Sequence, residues 1–508
     1  MSPVELLQST ANSATAIQAK LASLRSQMTA HQLDAYLVLS GDEHLNEYVP
    51  EAKQRRTWIS GFTGSVGDVL IGLEQAWVFV DSRYYEQADL QMQGTGIQVS
   101  KLGLEDHKTL VETLETWGQE ASEQQRTLRL GFDPFTLSIA QFQELRKQVE
   151  PNGVALVPLP QNLVDQVRDH APWIDQEVRP PYATSLVFQV PDAYTGESTA
   201  KKLDRVREAM KKSKIDILPL TKLDQIAWLF NLRGWDVSYN PVFIAYGIVT
   251  QEQAFLFTNL ERIEETLRQT LSAIVTFSPY EAYGKTFHTL VRQPQAVRVL
   301  LDPRHTTVGT RQLLIDARNT LGHKQVQLVE GTHPVEGLKA RKNTIEIAQM
   351  RAANLKASRA KIRTLKWVDD QVAAGASLNE QEIAQTIERF YQEEAEFQGL
   401  SFNTIAATGS NSSIVHYGTP SSECVVQPGH LVLLDSGAQY LGGTTDDTRT
   451  LMVGTPTPQQ IERYTEVLKA HINCALQRFP KGTTGSQLDG ITRANLWAIG
   501  LEYGHGTG

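Results

Sequence analysis

The sequence predicts two successive α/β domains related by duplication, followed by a third domain of mixed α+β type, and three observations carry that prediction. The segment KLASLRSQM at 20–28 returns as KLDRVREAM at 202–210, with Lys, Leu, Arg and Met held in register. At the same offset Leu33-Asp34 meets Ile215-Asp216 and Asp42 meets Asp224, before the copies separate ahead of Trp58 and Trp228. Two polar, proline-bearing stretches, 171–181 and 330–337, punctuate the chain where few periodic contacts are expected. Beyond the second stretch the strand and turn chemistry changes character. Domains are therefore expected at 15–178, 182–330 and 336–508.

Taken in order, each copy reads as helix, strand, turn and later strand, the last exemplified by Ala76–Val80 and Ala254–Phe257. Residues 338–368 alternate apolar and charged positions at helical spacing, and a further helix is expected at 379–394, their charges forming solvated faces. A final helix is expected at 486–501, with core packing the default role of Trp497. Between these helices lies HLVLLDSGAQYLGGTTDDTRT at 430–450. The apolar run 431–434, the turn residues Gly442 and Gly443 and the alternation from Thr448 describe a β-hairpin that brings Asp435 and Asp446 together. Strand alternation puts Asp446 and Asp447 on opposite faces, so one of them is expected to be solvated.

Composition narrows the function. A chain of 508 residues suggests roughly three domains. A net charge of -9 and a pI near 5.8 argue against a general binder of nucleic acid or anionic membrane, which needs a basic footprint. Residues 1–20 lack a basic segment followed by an apolar run, and no stretch is long and apolar enough to span a bilayer. Only two cysteines, Cys424 and Cys474, are present, which excludes a disulfide framework and predicts a reducing, cytoplasmic setting.

The segments SGFTGS at 60–65, DSRYYEQA at 81–88, IAWLFNLRG at 226–234, SIVHYG, DSGAQY, GGTTDDTRT and EYGHGTG together resemble the long, three-domain form of Xaa-Pro aminopeptidase, or aminopeptidase P, over nearly the whole chain. That resemblance implies two related creatinase-N-like α/β domains followed by a pita-bread metallopeptidase domain. It also implies a pair of divalent metal ions, most often Mn(2+), a homodimer, and release of the first residue from peptides with proline second.

Residue by residue, it makes Asp435 and Asp446 metal ligands, His416 a catalytic and substrate-contacting group, and Arg83 a substrate contact whose blander role is an ion pair with Asp81. His505 matches the first histidine of the motif HGTGH, which makes it a second expected catalytic residue beside His416. The family's ligating histidine would fall after Gly508 and two metal-binding glutamates later still, so the pita-bread domain is expected to be incomplete, the 508-residue chain truncated and inactive, and the run 431–434 short of strand neighbours. A prolidase-type dipeptidase and a catalytically dead peptidase-like binding module are the alternatives. The duplicated N-terminal domain argues against the first. Retained aspartates argue against metal-free relatives of the fold.

The chemistry agrees with that expectation. Proline turns the preceding bond into a tertiary amide without an N–H, which defeats proteases that rely on that donor. Two metal ions sharing carboxylates can instead supply a hydroxide and polarise the carbonyl, and a carboxylate-rich set with one histidine suits manganese better than zinc.

Overall fold

The structure is a computed structural model that describes residues 14–170, 179–182, 185–292, 296–320 and 326–507. Residues 1–13 and most of the predicted boundary at 171–181 lie outside the described residues. The first sheet runs β4-β3-β2-β1-β5-β6, from β1 (Ala35–Val38), β2 (Asp68–Gly72), β3 (Ala76–Val80), β4 (Gln98–Lys101), β5 (Leu128–Phe132) and β6 (Val154–Pro158). After the short strand β7 (Phe188–Gln189), the next segment holds β8 (Ile217–Leu220), β9 (Leu232–Arg233), β10 (Tyr246–Thr250), β11 (Ala254–Phe257), β12 (Thr276–Ser278), β13 (Val297–Leu301) and β14 (Val326–Glu330). Its sheet runs β12-β11-β10-β8-β13-β14 and repeats the first sheet's parallel and antiparallel pairings strand for strand.

Both sheets are apolar on both faces, as strands sandwiched between helices must be. In β1, Ala35 and Leu37 enter one cluster while Tyr36 and Val38 enter the other, the two-residue period of a strand. β8 repeats this with Leu218 and Leu220 against Ile217.

The duplication extends to side-chain roles. Lys20 is buried, donates to the Trp58 carbonyl at 3.0 Å and lies 4.4 Å from that tryptophan's ring centre. Lys202 does the same with Trp228 at 2.9 and 4.2 Å. Each ammonium thus meets a helix-end carbonyl and an aromatic face, two interactions that offset its burial. Asp34 and Asp216 each accept the amide of an arginine on the neighbouring strand at 2.8 Å. Asp42 and Asp224 part ways: the first organises a loop through His44 and Asn46, and the second pairs with Lys339 from a helix.

The second predicted boundary, 330–337, is no loose linker. Helix Pro334–Ala340 begins inside it, with His333 as N-cap and Val335 fully buried. The single helix expected from 338 is broken, because Asn343 caps the amides of Ile345 and Glu346 while Glu346 accepts the Asn343 amide; the long helix Thr344–Ala373 starts there. Such a capping box stabilises a helix start by about 1 kcal/mol.

The third region has strands β15 (Phe397–Leu400), β16 (Ile405–Thr408), β17 (Leu431–Ser436), β18 (Ala438–Tyr440), β19 (Gly443–Thr444) and β20 (Asp447–Met452). They form two small sheets, β15-β18-β19 and β16-β17-β20. The expected hairpin is therefore present, its tip folded into a separate sheet. β17 has a partner on each side, so the run 431–434 is not short of neighbours. Gly442 and Gly443 are needed for close approach and not for a turn conformation: a Cβ on Gly442 would strike Gln349 and one on Gly443 would lie 2.9 Å from the Ala353 Cβ, both on the long helix.

Helices Glu380–Gln392, Pro458–Leu476 and Gly485–Trp497 complete the region. Trp497 is not a core residue. It is 51% exposed, because Gly485–Trp497 buries its Thr492 and Leu496 side instead. No helix among the described residues is long and apolar enough to cross a membrane.

Candidate metal centre and peptide cleft

A cleft of about 610 Å³ opens between the first and third regions. The first contributes Arg83, Tyr84 and the loop 63–65, and the third contributes His416, Asp435 and Asp446. Four of the five residues singled out from the sequence therefore share one cavity although they span 364 positions of chain, from 83 to 446.

Asp435 sits on the central strand β17, its backbone opposite Ile405 on one side and Thr448 on the other. Its Oδ1 is buried without a hydrogen-bond partner among the described residues. Burial raises its pKa, Thr448 offsets part of the rise by hydrogen bonding, and the nearby Asp446 adds to it. Asp446 precedes β20 and is exposed to the cleft. A buried carboxylate oxygen without a donor, beside a second carboxylate, is an arrangement a hard cation would satisfy, so these two residues fit as oxygen ligands. Among the described residues no group of three or more His, Cys, Asp or Glu side chains comes together.

The sequence DSG explains the local shape. Ser436 is fully buried, 2.6 Å from Lys361 Nζ and 2.9 Å from the Tyr391 hydroxyl. At Gly437 any Cβ would run into the Thr445 carbonyl and Ser401 Oγ, so only glycine lets the strand before Asp446 approach the strand carrying Asp435. Asp447 is not the solvated member of its pair. Lys361 Nζ donates to its carbonyl oxygen at 2.8 Å and lies 3.7 Å from its carboxylate, whereas Asp446 is the exposed one.

Lys361 was missed in the sequence, where the long helix's charges were assigned to solvated faces. It is 2% exposed, and burial pushes its ammonium down to about 8 against the pull of Asp447 and Asp435. The signal was present: Lys361 shares a stripe with Ala353, Ala357, Ala360, Thr364 and Val368, the buried side of that helix.

His416 occupies the loop after β16, which is clamped by another missed residue. Glu380 is fully buried; its carboxylate accepts from the Thr408 amide at 2.7 Å, Asn411 Nδ2 at 3.0 Å, the Tyr417 hydroxyl at 2.8 Å and the Ser421 amide at 3.1 Å. The His416 ring meets the Tyr84 hydroxyl at 2.5 Å through Nδ1. Burial lowers its pKa, Arg83 lowers it further, and Asp81 and Glu47 oppose them, so the neutral ring is favoured.

Arg83 makes the ion pair with Asp81 and also faces the cleft. Its guanidinium is bidentate to Asp81 at 2.7 and 2.9 Å and lines the cleft as well, so Asp81 raises its pKa and orients it. His505 does not line the cleft; it is exposed, with Nδ1 2.9 Å from the Gly506 carbonyl, and reaches His416 only as a minor electrostatic neighbour.

Comparison with known proteins matches two stretches, 20–170 and 178–346, to the Creatinase/Prolidase N-terminal domain, and 348–508 to Metallopeptidase family M24. The paired N-terminal matches bear out the duplication read from the sequence. The chain is 37% identical over 491 residues to a probable Xaa-Pro aminopeptidase P of Laccaria bicolor, covering 96% of this chain and 73% of that protein. A probable Xaa-Pro aminopeptidase P of Sordaria macrospora is 38% identical over 493 residues, covering 96% and 78%. Among solved structures, an X-prolyl aminopeptidase from Caenorhabditis elegans, described as a cytosolic enzyme with a di-nuclear active site, superposes with a TM-score of 0.86 at 31% identity, over 97% of this chain and 78% of that one. With a duplicated creatinase-type N-terminal half, an M24 metallopeptidase region and this level of identity, the chain belongs to the Xaa-Pro aminopeptidase P family of metallopeptidases.

Proposed function

We propose that the protein is a metal-dependent aminopeptidase that releases the first residue of peptides whose second residue is proline. The observation that carries this reading is the convergence of Asp435, Asp446, His416 and Arg83 on one cleft between two regions of the chain. Asp435 and Asp446 would hold two divalent ions, manganese by the oxygen-rich character of the set, with further ligands beyond these two. When bound, such ions supply an activated hydroxide and polarise the scissile carbonyl.

The protein's own groups do the rest. His416, neutral and facing the cleft, donates to the scissile amide or the developing oxyanion, a contribution typically worth about 3 kcal/mol. Arg83, held by Asp81, presents a fixed positive charge to the peptide. A site that works by polarising the carbonyl needs no N–H from the scissile bond, which is the donor that proline lacks. The family resemblance further supports a homodimer and a cytoplasmic location. His505, outside the cleft lining, is assigned a supporting place near His416.

The test is product analysis with the protein expressed from its full reading frame, stripped of metal and given an Arg-Pro-Pro peptide. Hydrolysis restored by manganese, with a single arginine as product, is the expected result. Release of a dipeptide, or hydrolysis indifferent to chelator, contradicts the proposal.

A further inference from the structure

We propose that Tyr84 is a positioning residue that locks His416 into the tautomer protonated on Nε2, so that the ring presents a donor to the cleft. The inference rests on the reading of His416 as the cleft's donor and goes beyond it by naming what sets that donor.

The Tyr84 hydroxyl lies 2.5 Å from His416 Nδ1 and 2.6 Å from Ser65 Oγ. A phenol has one proton to give, so two arrangements exist. In one, Ser65 donates to Tyr84 and Tyr84 donates to Nδ1. In the other, Nδ1–H donates to Tyr84 and Tyr84 donates to Ser65. A phenol is a far stronger acid than a neutral imidazole N–H, and an imidazole nitrogen a far better acceptor than a phenol oxygen, so the first arrangement is the stable one. The tautomer follows: Nδ1 is an acceptor, and the proton resides on Nε2. Among the described residues Nε2 makes no hydrogen bond. The neutral ring this requires is the form favoured by burial and by Arg83.

The surrounding loop is built to hold the phenol still. Tyr84 is 1% exposed, its ring set edge-on to Phe62 at 5.9 Å and to His416 at 5.3 Å. At Gly64 a Cβ would run into the Phe62 ring and stand 2.8 Å from Tyr84 Cδ1, so a side chain there would displace both rings. Buried Arg56 donates to the carbonyls of Gly64 and Gly67, the latter at 3.1 Å, and Gln91 accepts the Thr63 amide at 3.0 Å. The segment SGFTGS, which has the wrong glycine spacing for a phosphate loop, thereby acquires a purpose. It is the seat of a tyrosine that reaches 332 positions along the chain to His416.

The experiment is nitrogen-15 NMR of the histidine side chains in the metal-free protein without peptide, at about pH 8, where unperturbed imidazole is neutral. The His416 signals are identified among the 12 histidines by their loss in His416→Gln. The expected wild-type spectrum has Nδ1 at the unprotonated shift and Nε2 at the protonated shift, and Tyr84→Phe moves the ratio of tautomers toward Nδ1–H by tenfold or more, as about 1.4 kcal/mol of lost preference would. A wild-type ring protonated on Nδ1 or freely exchanging overturns the proposal, as does an unchanged ratio in Tyr84→Phe. The wild-type spectrum decides even if the variant fails to fold. Because no turnover is measured, failure to cleave Xaa-Pro peptides would sink the proposed function separately.

Discussion

Asp435 is a residue whose ionisation the fold opposes. Its pKa in the native protein lies above the unfolded value, chiefly through burial and in part through Asp446. Folding therefore opposes its ionisation: no penalty exists below the unfolded pKa, and the penalty grows as pH rises from there through the folded pKa. At neutral pH, Asp435→Asn should raise the melting temperature of the metal-free protein by about 2 °C, and it should abolish the stabilisation expected from manganese added to the wild type. Calorimetry with and without metal reads both effects, and a variant no more stable than wild type in the absence of metal would contradict the argument. Asp447 is the counter-charge of Lys361. Asp447→Ala should retain metal but lose about 1 kcal/mol of stability, measurable by denaturant titration. The aspartates themselves were legible from the sequence. Which of the adjacent pair faces solvent was not, because alternation separates Asp446 from Asp447 without saying that a lysine on a helix waits under one of them.

Among the elements, the loop between β16 and β17 depends on a carboxylate it does not contain. Glu380 accepts four donors from residues 408–421, so Glu380→Ala strands several buried polar groups at once. A loss of about 3–5 kcal/mol from the third region is expected, with the His416 loop becoming the first site of cleavage in limited proteolysis. Wild-type protease resistance in that loop would refute the clamp. Helix 379–394 was legible to within two residues, because Asn379 and Glu382 form a readable cap. The burial of Glu380 was hidden for the same reason: a glutamate in a first turn looks like a dipole-complementing surface charge, and its partners lie 28 to 41 positions away. The break at 341–343 was masked by a helical pattern that continues across it.

For the whole molecule, the second copy of the duplicated unit lends none of its described residues to the cleft lining and touches both regions that form it. It meets the first copy where His44 contacts the Thr221 carbonyl at 2.8 Å and the Tyr280 hydroxyl at 2.9 Å, and the third region where Trp228 donates to Glu346 at 3.1 Å and Gln439 to the Tyr239 carbonyl at 2.9 Å. Beside that first junction, burial would raise the Glu43 pKa, but Lys53 at 3.0 Å and Arg55 at 4.0 Å overrule it and hold the carboxyl at about 2. A depressed acid stabilises above its unfolded pKa and loses that contribution as pH falls to the folded one, here between 4.5 and about 2. The wild-type melting temperature should fall through that window more steeply than that of Glu43→Gln, and parallel curves would contradict the assignment.

The duplication was readable because the buried lysines and strand-end aspartates keep their spacing. The meeting of Arg83 and Tyr84 with His416 follows from domain placement, which no local pattern encodes. The central claim, that Asp435 and Asp446 form a metal centre at this meeting point, is tested most directly by titrating manganese into the metal-free protein from its full reading frame and following the heat. The account predicts binding in the wild type, affinity at least about 100-fold weaker in Asp446→Ala, and unchanged affinity in His416→Ala. Equal affinity in wild type and Asp446→Ala would contradict it.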